Sequence, residues 1–176
     1  MGAQQHGHME SVGYDMYLKL LGEAVSEEKG EAAPQSADLD CLIDISVNAH
    51  IPESYVESLT LRLDVYRRIA DIRNKEDSLD VKDELKDRFG EIPESVLGLI
   101  DIALIRNCAN AMGIYEIRQT DTNVLLFVKE IKSPKVIELL SRLNGRAMLS
   151  AGNKPYITIR CGGGSSLDML KKVFKI

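Results

Sequence analysis

Apolar residues recur every three or four positions over most of the first part of this chain, and alternate with polar ones over much of the rest. Val12, Tyr14, Met16, Tyr17, Leu20, Leu21, Ala24 and Val25 form a wide apolar face, which predicts a helix over residues 11–28 with Ser11 as a possible cap. From Glu28 to Asp40 almost nothing is apolar, and Gly30, Pro34, Gln35 and Ser36 mark a linker. Cys41–Val47 alternates and ends before Pro52, so it reads as a strand. A long helix is expected over Ser58–Asn74, with two apolar stripes: Leu59, Leu63, Tyr66 and Ala70, then Leu61, Val65, Ile69 and Ile72. Two stripes imply cover on more than one side. Asp77 or Ser78 is the expected cap of a further helix that stops at Phe89-Gly90. Pro93 then opens a helix to Met112, with Leu97, Ile100, Leu104, Cys108 and Ala111 as its inward face and Gly113 as its end.

Beyond Gly113 the period shortens. Tyr115–Thr120 and Val124–Lys129 read as a hairpin around Asp121-Thr122-Asn123. Ser133-Pro134 starts a short helix closed by Asn144-Gly145. Ala147–Ser150 and Tyr156–Cys161 are two more strands, and Leu167–Phe174 a last helix. The expected fold class is α+β, a helical first half followed by a small ββαββα sheet-containing half. The expected division is an appendage at 1–29, a linker at 30–40 and one domain at 41–176.

Composition narrows the class. Hydrophobic residues make up 44% and charged residues 28% of the 176, as in a globular protein with a proper core. No apolar run approaches the ~20 residues that span a bilayer, and no charged-then-apolar leader opens the chain, so a cytoplasmic location without membrane contact is expected. Cys41, Cys108 and Cys161 are odd in number and contain no CxxC, which argues for reduced thiols and against a disulfide framework or zinc site. The net charge of −5 is uneven. Residues 129–176 hold ten Lys/Arg against three Asp/Glu, a net of +7, which leaves −12 for the first 128. A basic end that includes Lys129, Lys132, Lys135, Arg142, Arg146, Lys171 and Lys172 is either a solvated surface or a nucleic-acid contact. No aromatic residues interleave with it as stacking platforms would.

Few motifs point to bond-making chemistry. Gly162–Ser166, between a strand and a helix, could cradle an anion on backbone N–H groups. It lacks the GxxxxGK[ST] spacing, and a turn with Ser165 or Ser166 as cap is the plainer reading. His6 and His8 have no third ligand nearby, His50 stands alone, and no GxSxG elbow is present. No metal, cofactor or catalytic residue is assigned. The best organised charge feature lies on the expected 79–89 helix. Asp80, Asp83, Glu84 and Asp87 fall at i, i+3, i+4 and i+7 and so share one face, with Lys82, Lys86 and Arg88 off it. That face is either a solvated helix surface or a docking ridge for an arginine-bearing partner, since Arg–carboxylate pairs give both attraction and register.

Several pieces of this region resemble the C-terminal domain of bacterial transcription-repair coupling factors. They are Ile51-Pro52-Glu53-Ser54-Tyr55, Arg62-Leu63-Asp64-Val65-Tyr66-Arg67-Arg68-Ile69-Ala70, Glu84-Leu85-Lys86-Asp87-Arg88-Phe89-Gly90-Glu91-Ile92-Pro93, and Leu104 through Gly113-Ile114. The segment Gly2–Tyr17 is similar to the motif that ends the RecG-like translocation module of the same family, with Gln5 and Gly7 at matching positions and His6 where a Ser is expected. The resemblance implies a parent that is an ATP-dependent DNA translocase acting on stalled RNA polymerase, UvrA and double-stranded DNA. It implies that this domain clasps a UvrB-like module of the same protein, masks UvrA binding and restrains the motor, without catalysis or cofactor of its own. Carried over residue by residue, the acidic side chains of the clasp are Glu84 and Asp87, both members of the ridge read from spacing, with Asp80 and Asp83 beside them. The competing functions are a nucleic-acid-binding module working through the basic end, and an enzyme built on the Gly162–Ser166 loop.

Overall fold

The apolar run Glu94–Ala111 folds into the helix around which the other elements are arranged. The computed structural model describes residues 41–162 and 164–176. The expected helix at 11–28, the linker, Gln5, Gly7, His6 and His8 lie outside the described residues. In chain order the elements are β1 (Leu42–Asp44), α1 (Leu59–Ala70), α2 (Lys75–Phe89), α3 (Glu94–Ala111), β2 (Ile114–Gln119), β3 (Asn123–Val128), α4 (Pro134–Leu143), β4 (Ala147–Ser150), β5 (Tyr156–Arg160) and α5 (Ser166–Phe174). The class is α+β, as expected. The five strands form one sheet in the order β1-β2-β3-β5-β4. β1 runs parallel to β2 and all other pairs are antiparallel, so the strand that precedes the helices closes one edge of the sheet built by the second half.

Helix α3 departs from the single inward stripe expected of it. Val96, Leu99, Ile100, Ile102, Ala103, Leu104, Ile105 and Ala109 are all buried, while Leu97 and Cys108 are half-buried and Ala111 is exposed. A helix apolar on nearly every side belongs in the middle of a core. Here α3 packs on α1 and α2, on β1 and β2, and on α5. Gly98 lets it approach the 47–49 segment, because a Cβ at that position would lie 3.1 Å from the Asn48 carbonyl oxygen. Two polar side chains fasten it further. Asn107 donates to the carbonyls of Ile72 and Ala103, and the Asn110 side-chain oxygen accepts from the Cys41 N–H at 2.8 Å.

Around this helix the other elements follow from their sequences, but β1 ends at Asp44 and α1 at Ala70, short of the expected Val47 and Asn74, and two further corrections apply. Of the stripe Leu61, Val65, Ile69 and Ile72, the last three are buried, with Ile72 just past the end of α1, and Leu61 is exposed; the other stripe is covered only in part. Leu59 is 60% exposed and Leu63 and Tyr66 are half-buried, so this stripe lies at the margin of the core. Helix α2 begins at Lys75, earlier than expected. Asn74 caps it by accepting from the Asp77 N–H at 3.0 Å while the Asp77 carboxylate accepts from the Asn74 N–H at 3.2 Å. Asp77 therefore closes a capping box from the third helical position, and Ser78 is buried with its hydroxyl donating to the Lys75 carbonyl. In the sheet, Val124, Leu126, Val128, Ile157 and Ile159 are buried on one face, and Leu125, Phe127, Tyr156 and Thr158 alternate onto the other, half-exposed one.

Two substitutions check this packing. Gly98→Val forces a branched side chain against the Asn48 carbonyl and is expected to destabilise by about 1–3 kcal/mol, read by chemical denaturation. Asn107→Ala leaves the Ile72 carbonyl without its side-chain donor and is expected to cost about 1–2 kcal/mol in the same measurement.

Candidate interaction surface on helix α2

One side of α2 is anchored. Ser78, Val81 and Leu85 are buried, and Phe89 is half-buried against the Tyr55 ring, with centroids 5.8 Å apart in an edge-on arrangement. The Tyr55 hydroxyl donates toward the carbonyls of Leu85 at 3.2 Å and Gly90 at 3.4 Å, which ties down the helix end. Gly90 ends α2 at φ +85°, a conformation that L side chains rarely adopt. The apolar anchors fix the rotation of the helix about its axis, and that rotation decides which residues face water.

Asp80, Asp83 and Asp87 are exposed, and none of them forms an ion pair among the described residues. Glu84 differs from them. Its carboxylate accepts from Arg88 at 2.8 Å and from Arg68 of α1 at 3.1 Å, and about a third of the side chain remains exposed. The hydrogen bond from Arg88, then that from Arg68, hold its carboxyl below the usual glutamate range, against a small opposing effect of burial. The guanidinium of Arg88 also lies 4.9 Å from the centre of the Phe89 ring. The four expected carboxylates thus share one surface. Among the described residues three form no ion pair, and one is held by two arginines of the same fold.

Neither arginine was singled out from sequence. Arg88 stands four residues after Glu84, the spacing at which helix side chains meet, so that signal was present. Arg68 lies on another helix, and no local pattern could have placed it there.

The basic end is not one surface. Lys171 pairs with Asp101 of α3 at 2.7 Å, which raises the lysine's pKa, and Lys135 donates to the Ala111 carbonyl at 2.7 Å. The Arg142 guanidinium donates to the Val173 carbonyl at 3.1 Å. Lys129 and Lys132 are exposed and adjoin the end of β3. Arg146 and Lys172 instead line a cleft with Arg142 and with Arg160, which was not among the expected residues. In the loop after β5, Gly162 has φ +59° and the Gly164 N–H donates to the Cys161 carbonyl at 3.2 Å. Ser165 occupies the cap position of α5 without a side-chain hydrogen bond, and Ser166 is buried. The three cysteines are free thiols, with Cys41 buried and the other two half-buried. His50 is exposed. Among the described residues no three metal-ligating side chains gather, and no helix is long and apolar enough to cross a membrane.

Residues 45–138, more than half of the chain, match the family model described as TRCF domain. The chain is 32% identical to a transcription-repair-coupling factor of Bacillus subtilis over 179 residues, covering 98% of this chain and 15% of that protein. It is 34% identical over 140 residues to the transcription-repair-coupling factor of Staphylococcus epidermidis, covering 78% of this chain and 12% of that one. The chain thus spans about a seventh of the length of these relatives. In fold it resembles the crystal structure of the C-terminal domain of a transcription-repair coupling factor, with a TM-score of 0.68 at 18% identity over 77% of this chain and 88% of the other. The chain belongs to the transcription-repair coupling factor family and carries its TRCF domain.

Proposed function

We propose that residues 41–176 form a regulatory domain that works by occupying a surface. The exposed ridge of α2 is its catch, and its partner is the UvrB-like module of the same parent protein. Closure of this clasp masks UvrA binding and restrains the translocase. The parent is then an ATP-dependent translocase on double-stranded DNA that engages stalled RNA polymerase in the cytoplasm, and residues 1–29 are the end of its motor, joined through the linker at 30–40. The observation that carries this reading is the row of unpaired carboxylates, Asp80, Asp83 and Asp87, presented by a helix whose other side is locked by Val81, Leu85 and Tyr55.

The energetics suit a latch that opens. Exposed ion pairs contribute roughly 0–1 kcal/mol each and more once desolvated. A few such pairs hold two domains together without making release slow. Engagement of RNA polymerase or DNA need only favour the open state by a comparable amount. Glu84 has a second part in this arrangement. With Arg68 and Arg88 already beside it, it joins α1 to α2 and stiffens the ridge that the free carboxylates present.

Binding of the 176-residue chain to the isolated UvrB-like module, followed by calorimetry, is expected to weaken with rising salt. Asp87→Lys and Glu84→Lys are each expected to weaken it several-fold, and unchanged affinity with both reversals removes the ridge from the mechanism. The Glu84 ion pairs also set a pH dependence. Its folded-state pKa is lowered, so the pairs stabilise the fold above the ordinary glutamate value of about 4.3 and are lost as pH falls through the lower folded value. The melting temperature of the wild type is therefore expected to exceed that of Glu84→Gln slightly at neutral pH, with the difference closing below about pH 4.

A further inference from the structure

The end of the sheet where β5 emerges carries a second charged surface, of the opposite sign and on different elements. Arg142, Arg146, Arg160 and Lys172 line one cleft of about 450 Å³, and no carboxylate lines it. A neighbouring cleft of about 560 Å³ shares Arg146 and Arg160, again without a carboxylate. A third, by the β2–β3 turn, includes Arg160 and Asp121, and the two form no ion pair.

Two of the four cations have an ordinary structural role. Arg142 and Lys172 sit in the last turns of α4 and α5, where a positive charge complements the helix dipole. Arg146 and Arg160 have no such role. Ala147 pairs with Ile159, so one step outward along the same register brings Arg146 beside Arg160, both exposed and neither in an ion pair among the described residues. Like charges opposed across a strand pair are destabilising unless something negative lies between them.

We propose that this cleft binds the phosphate backbone of a nucleic-acid duplex, with Arg146 and Arg160 as the primary contacts and Arg142 and Lys172 supporting them. Guanidinium forks match phosphate oxygens in bidentate geometry, which favours a phosphate ligand. The aromatic ladder of this sheet, Phe127 with Tyr156, lies at the opposite end of β5 from Arg160. Bases therefore have no stacking platform at the cleft, which disfavours single strands and any reading of sequence. Lys129 and Lys132 follow β3 at the Tyr156 end and take no part.

The test is fluorescence anisotropy of the 176-residue chain with a labelled DNA duplex of arbitrary sequence across a salt series. Four phosphate contacts give a slope of log K against log salt of about −3.6, or a roughly 150-fold loss of affinity between 50 and 200 mM. Arg146→Gln/Arg160→Gln, at exposed positions, is expected to halve that slope while leaving the melting temperature unchanged or slightly raised, because the opposed charges are relieved. Lys129→Gln/Lys132→Gln is expected to leave the slope as it was. No binding at low salt overturns the proposal, as does an equal effect of the two double variants. Competition by a polyglutamate peptide as effective as unlabelled duplex at matched charge also overturns it, in favour of an acidic protein partner.

Discussion

Burial of α3 on almost its whole circumference is the constraint from which the rest of the structure follows. A helix with so little polar surface cannot lie on the outside of a domain, so α1, α2, α5 and the sheet must close around it. Its few polar groups are spent internally, with Asn107 reaching the end of α1 and Asn110 reaching the start of β1. Those bonds draw the strand that precedes the helices back to the sheet that follows them. Because α2 must press Val81 and Leu85 inward against this centre, it has one available rotation, and that rotation turns Asp80, Asp83 and Asp87 toward water. The charged surface is thus a consequence of the apolar core.

The distribution of charge separates two surfaces that a net value of −5 conceals. On α2 the carboxylates are concentrated, and the one that is paired is paired locally, by Arg88 on the next turn and Arg68 on the neighbouring helix. At the far end of β5 four cations line one cleft that no carboxylate lines. In the clasp we propose, the acidic side has to hold and let go. Weak, exposed, salt-screened pairs meet that requirement better than an apolar interface would.

The places where sequence reading went astray share a cause. The expected inward stripe of α3 misjudged a helix that is covered on several sides, because periodicity reports the direction of cover only when some face is left polar. The Leu59–Leu63–Tyr66–Ala70 stripe of α1 shows the same limit. Leu59 fits the spacing of a buried face and is 60% exposed, since spacing cannot say where a neighbouring element stops. The start of α2 was placed late because Asp77 and Ser78 both look like caps. Asn74 does the capping, with Asp77 answering it from inside the first turn.

What the sequence determined by itself was local: the strands and helices of the described residues, the turn residues Gly90 and Asn144-Gly145, the class of the fold, and the alignment of four carboxylates on one face of α2. Each of these depends on residues within a few positions of one another, and helix and strand geometry make such spacings legible. The tertiary structure decided which members of those patterns are free. It gave Glu84 to Arg68, Lys171 to Asp101 and Lys135 to the end of α3, and it brought Arg146 and Arg160 to one cleft. Such pairings join residues far apart in the chain, and long-range contacts are chosen by how the core closes, which no short window of sequence contains.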